Sequence, residues 1–336
     1  MSPLFEGHRA RKLCRSHLQT GLLTVFTLLV LFATPALWAG NTTRILFVSS
    51  HTSTPYLHFI ETAKLELQAN SPSQIDIVNL PARQLAEHPG GGVGQDYDMV
   101  IALGGRAAMA IQQWRTKSPV IYTLIPKATY GGLLQSGRVT CPGHLCTALY
   151  IDQPLQRIFR ILAVAFAERK EAGVLLGPVS GKQSDELATL AGKTGFHLRS
   201  TEIHKADELL PALDTLLKQA SLLLAIADPV VYNPRTAKSI LLTTYHYRVP
   251  VVAYSKAYAD AGATLSVFST PEQIARQTAG IIRAFLDAGK HSLPPPRYPE
   301  HYTIRINSHV ARSLGLKLDS NPELQSMIKD ADHEAH

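Results

Sequence analysis

The sequence predicts an α/β protein of two lobes, each with a parallel sheet, joined by a multi-strand hinge. Two observations carry this. Short apolar runs ending in small or polar residues alternate with segments of helical periodicity, as in parallel sheets flanked by helices. The alternation also occurs twice: Ile45 lies as far ahead of Pro119 as Val174 lies ahead of Pro250, to within two residues. At 336 residues the chain can hold two ordinary domains, and 45% hydrophobic against 18% charged residues marks it as globular.

In the first half, Arg44–Ser50 is a buried strand, and Leu57, Ile60, Ala63 and Leu67 mark a helix over 56–69. Strands follow at 74–78, 97–103 and 119–124, with a helix over 107–114 between the last two. In the second half, Pro154 opens a helix whose face is Leu155, Ile158, Phe159, Leu162 and Phe166; proline suits a first turn because its missing N–H is no loss there. Strands are expected at 173–177, 198–203, 222–226 and 250–254. Helices lie between them: one capped by Ser180 and stopped by Gly195, then 207–220 and 234–247. The halves align strand for strand: Ile45–Val48 with Val174–Leu176, and Val100–Leu103 with Leu223–Ile226. Ser269-Thr-Pro-Glu272 is a strong helix start, and Tyr302–Ile306 is a last strand. The expected division is 40–149 plus about 256–288 for the first lobe and 150–255 plus about 289–318 for the second, with a polar, frayed tail over 319–336.

The formal charge of +7 suggests an acidic partner, but Arg9, Arg11, Lys12 and Arg15 stand against Glu6 before residue 40. The rest is spread without a basic run or interleaved aromatics, so no nucleic-acid partner is expected. Those basic residues precede the apolar run Gly21–Phe32 and the small residues up to Ala39, the order of a secretory signal peptide over 1–39. The run is shorter than the roughly 20 residues of a membrane span; an uncleaved anchor is the alternative, and a periplasmic location the expectation. Cys141 and Cys146 enclose a short Pro/Gly loop, and in an oxidising compartment a disulfide between them is expected. With His144 they lack a fourth ligand for zinc, and no metal or cofactor is expected.

Gly177-Pro-Val-Ser-Gly-Lys-Gln-Ser184 follows a strand as a phosphate-binding loop does. It is one residue short between its glycines, and Gln183 replaces the required hydroxyl. No catalytic arrangement of side chains stands out, and no enzyme is expected.

Several stretches carry a family resemblance: Leu155–Gly177, Asp207–Leu213, Ala227-Asp-Pro229, Val249–Tyr254 and Ile306–Leu316, with Val100–Ala108 in the first half. Together they resemble the periplasmic solute-binding proteins of the tryptophan/tyrosine-type ABC importer family. The resemblance implies the type I periplasmic-binding fold: two Rossmann-like lobes closing over a small molecule, with an inner-membrane ABC permease as partner, the protein itself a monomer. It departs at Arg106, where relatives tend to carry a small hydroxyl residue, and at Ile125–Thr129, both expected to face the cleft.

On physical grounds Gly104-Gly105 at a helix start would offer backbone N–H groups to a carboxylate, and Arg106 a planar fork for another anion. Asp228, in the equivalent turn of the other lobe, would take a ligand ammonium. Ser50, His51, Thr52, Ser180, Tyr232 and Ser255 occupy neighbouring turns and complete the expected ligand set. The function expected is capture of a small, amino-acid-like or anionic solute for import. The alternatives are a periplasmic sensor docking on a receptor, or a scaffold that binds nothing.

Overall fold

The computed structural model describes residues 42–69, 74–87, 97–139 and 145–333. The expected signal segment and Cys141 lie outside these residues.

The first lobe contains β1 (Thr43–Ser49), α1 (Thr54–Ala69), β2 (Ile75–Pro81), α2 (Ala82–Glu87), β3 (Met99–Leu103), α3 (Gly105–Trp114), β4 (Val120–Ile125), α4 (Lys127–Gln135) and β5 (Cys146–Tyr150). Its strands form one parallel sheet in the order β2-β1-β3-β4-β5. Alternation along β1 explains its two cores, because successive side chains point to opposite faces. Ile45 and Phe47 pack with α1, while Leu46 and Val48 pack with α2 and α3.

The second lobe contains α5 (Leu155–Ala165), β6 (Glu171–Leu176), α6 (Ser184–Lys193), β7 (His197–Glu202), α7 (Leu209–Leu217), β8 (Leu222–Leu224), α8 (Ala237–His246), β9 (Val251–Ala253), α9 (Lys256–Ala261) and β10 (Leu265–Phe268). Its sheet order is β11-β10-β9-β8-β6-β7. Without β11 (Thr303–Ile306), which pairs antiparallel at one edge, this is the order of the first lobe. The duplicated spacing in the sequence is therefore a duplicated topology.

The lobe boundaries differ from expectation in two places. Residues 256–268 belong to the second lobe: α9 packs beside β10, and β10 pairs with β9. Only α10 (Pro271–Asp287) returns to the first lobe, where Ile274, Ile281, Ile282 and Phe285 cover the Ile45/Phe47 face. The tail also differs. After α11 (Ser308–Ser313), α12 (Pro322–His333) packs against α5 and β11 and buries Leu324 and Ala331. Asn321 fixes its start by accepting the Leu324 N–H at 3.0 Å and donating to the Val164 carbonyl at 3.1 Å.

Among the described residues the chain passes between the lobes after β5, after β10 and between α10 and β11. The last passage adds a bridge to the first sheet, with the Arg297 N–H on the Ala148 carbonyl at 2.9 Å and the Tyr150 N–H on the Arg297 carbonyl at 3.0 Å.

Candidate ligand site

A cavity of about 510 Å³ lies where the carboxyl ends of β4 and β5 meet those of β8 and β9. Open α/β sheets bind ligands at such strand ends. The first lobe contributes Pro126, Lys127 and Tyr130, the first passage contributes Tyr150, Asp152 and Gln153, and the second lobe contributes Ile226, Tyr254 and Ser255. Pro296 and Tyr298 close one side from the third passage.

Local backbone geometry brings these groups together. The pairing of β4 with β5 shifts register between Thr123 and Ile125, and Leu124 takes a left-handed φ of 50°. Such a bulge re-aims the strand end, and Pro126–Ala128 then line the cavity at the start of α4. The Lys127 N–H, one of the unpaired donors of that first turn, donates to Asp152 Oδ2 at 2.5 Å. Burial pushes the Asp152 carboxyl up to about 6, against the opposing pull of the Lys127 N–H and ammonium. The Lys127 ammonium donates to the Tyr298 phenol at 3.0 Å and lies 5.1 Å from that ring's centre, and this hydrogen bond holds its pKa up. Tyr298 meets Tyr150 edge-on at 5.4 Å, and Tyr150 meets Tyr130 at 6.1 Å. Burial raises the phenols of Tyr150 and Tyr254, and the Asp152 charge nearby adds to both shifts. The result is a largely apolar, tyrosine-walled chamber whose lining carries charge of both signs, Asp152 and Lys127 beside the first lobe and Glu186 and Lys182 from the second.

Of the expected ligand set only Ser255 lines this cavity, together with Pro126, Lys127 and Ala128 of the Ile125–Thr129 segment expected to face the cleft. Ser255 also caps α9, its hydroxyl accepting the Tyr258 N–H at 3.3 Å. Ser50 and Gly105 do come together: Ser50 Oγ accepts the Ala107 N–H at 3.0 Å, in the first turn of α3. A Cβ on Gly104, whose φ is +86°, would fall 2.7 Å from that oxygen, so glycine is required there. Arg106, His51 and Thr52 are exposed beside them, with the His51 ring 5.5 Å from Tyr56.

Asp228 does not have the expected role. It is 2% exposed, and its carboxylate already accepts five hydrogen bonds: Val179 N–H, Ser180 N–H and Ser180 hydroxyl on Oδ2, Val230 and Val231 N–H on Oδ1. No lone pair is left aimed at an ammonium. Gly177 is the necessary companion, since a Cβ there would lie 2.3 Å from Asp228 Oδ1. The segment that resembles a phosphate loop is thus a nest of N–H groups filled by the protein's own carboxylate. Ser180 belongs to this knot and is not a helix cap; a 3₁₀ turn over Ser180–Gln183 precedes α6. Tyr232 is buried behind it, packed on Tyr254 and Tyr258.

Sequence reasoning missed Asp152, Tyr150 and Tyr298, and reached Lys127 only as part of the Ile125–Thr129 segment facing the cleft. Tyr150 ends β5, a short strand with no periodic pattern, and Asp152 follows it. Cys146 opens that strand and is disulfide-bonded. Among the described residues no group of three or more His, Cys, Asp or Glu side chains could hold a metal, and no helix is long and apolar enough to cross a membrane.

Residues 69–325 match the family model described as ABC transporter substrate binding protein. The chain belongs to this family. Solved structures agree on the fold of these substrate-binding proteins. A Streptococcus pneumoniae protein in complex with L-Trp superposes with a TM-score of 0.62 at 16% identity, over 85% of this chain and 98% of that one. A ligand-free, open substrate-binding protein with adhesive properties from Clostridium difficile gives 0.67 at 16% identity, over 84% and 97%. A conserved domain protein from Vibrio cholerae gives 0.60 at 17%, over 85% and 98%. Curated proteins give no match. As a member of this family the chain has a solute-binding role, within a type I periplasmic-binding fold of two α/β lobes.

Proposed function

We propose that the chamber between the lobes captures a small solute bearing an ammonium group and a ring or other flat apolar body, by lobe closure. Asp152 carries this reading: it is a carboxylate held among tyrosines at a passage between the lobes. A cation there gains both Coulombic attraction and the negative faces of Tyr150, Tyr254 and Tyr298. The Lys127 ammonium in the same chamber suits a carboxylate, so an amino acid with a ring satisfies both groups. The relative solved with L-Trp is consistent with that class. In this reading residues 1–39 direct export, the protein works in the periplasm without catalysis, and the closed form hands its solute to an inner-membrane ABC permease.

A thermal-shift panel of aromatic amino acids, aromatic amines, dicarboxylates and nucleosides tests the class, because a ligand that binds only the folded state raises the midpoint. Ammonium-bearing ring compounds should give the largest shifts, and Asp152→Asn should weaken them about tenfold to a hundredfold. Shifts from dicarboxylates alone, or full affinity in the variant, would overturn the assignment.

A further inference from the structure

The three passages between the lobes are laced together at one side chain. Gln153 follows β5 and is 7% exposed; Ser269 follows β10 and is 6% exposed. Gln153 Nε2 donates to Ser269 Oγ at 2.8 Å, and the Ser269 hydroxyl donates to the His301 carbonyl at 2.6 Å. On its other side Gln153 Oε1 accepts from Arg157 Nη1 at 2.6 Å. Arg157 itself reaches the third passage, donating to the Pro299 carbonyl at 3.0 Å, with its guanidinium 4.1 Å from the Tyr302 ring centre. The order of these bonds fixes the amide. Ser269 has one proton and gives it to His301, so its oxygen must be met by a donor, and the guanidinium must be met by an acceptor. The Gln153 amide presents both from one buried position.

We propose that Gln153 is the positioning residue of the hinge: its amide ties the three passages into one unit, so that a load on any one is shared by the others. Gln153 also lines the chamber, which places the tie in reach of an occupant. The inference depends on the ligand reading only for that last link, and its test uses no ligand, so either can fail alone.

The test is backbone hydrogen exchange on the ligand-free full chain. Gln153→Leu removes donor and acceptor at nearly constant volume. Exchange should then accelerate about fivefold or more in all three passages, over 150–155, 268–271 and 297–303, because a buried hydrogen bond biases a local equilibrium by roughly that factor. Strands β1 and β6 should keep their wild-type rates. Gln153→Glu keeps the Arg157 contact but replaces the donor facing Ser269 with an acceptor, so the single Ser269 proton can serve either that carboxylate or the His301 carbonyl but not both, and the second and third passages should loosen. Ser269→Ala, which deletes a single hydroxyl, reports on the same tie should Gln153→Leu not fold. Acceleration confined to the mutated passage, or no change in folded variants, overturns the proposal.

Discussion

Two acidic residues show why residue type alone does not assign a role. Asp152 and Asp228 both follow strands at the cleft, but one carboxylate accepts an N–H beside open space and the other is saturated inside a loop. Asp228→Ala should lower unfolding stability by about 3 kcal/mol, since it strands buried N–H groups; urea melts check this, and a change within 0.5 kcal/mol would contradict the bracing role. Asp152 should instead register in pH dependence. Its folded pKa is raised from 3.8 to about 6, so the ligand-free protein binds more protons than the unfolded chain within that window. Its contribution to stability is complete below 3.8 and is lost as pH rises through about 6. Binding of an ammonium ligand runs the opposite way, strengthening by up to about tenfold per pH unit as the carboxyl ionises. Calorimetry across this range on wild type and Asp152→Asn checks both slopes, which the variant should lack. In the sequence the two aspartates look alike, and Asp228 was the more conspicuous because it sits in Ala227-Asp-Pro229. What separates them is the path of the Gly177–Ser180 loop, a contact between segments far apart in the chain.

Elements with strong local signals were legible. The strong helix start expected at Ser269–Glu272 opens α10, where Thr270 and Gln273 form a capping box with Pro271 in the first turn. Ser269, just ahead of that cap, serves the hinge. Strands β5 and β10 were missed because runs of only four or five residues, each with a hydroxyl residue among its apolar ones, do not distinguish strand from loop. The helix α12 was misjudged for a different reason. Its polar composition hid a spacing of Leu324, Met327, Ile328 and Ala331 that repeats as a helix face should, and Asn321-Pro322 stands at its start. Composition describes the solvent side of such a helix, while the few apolar positions decide where it docks. Leu324 is fully buried, so Leu324→Ala should cost about 2–4 kcal/mol and lower the thermal midpoint by several degrees. A loss below 0.5 kcal/mol would show that the last helix does not hold to the lobe.

For the molecule as a whole, the repeat was the most informative signal in the sequence: it implied two equivalent sheets, and their strand orders coincide. The lobe boundaries were less legible, because the chain's returns between lobes leave no mark in composition. They also carry a consequence for how the protein comes to exist. The apolar face of the first sheet, with Ile45, Phe47 and Ile121, is roofed in part by α10, whose residues are synthesised after the whole of the second lobe's parallel sheet. A chain emerging from its amino end must therefore hold one lobe unfinished while the other assembles. The lobe begun first is completed only after residue 271 has arrived, and a fragment ending at residue 153 should aggregate or bind dyes that seek exposed oily surface.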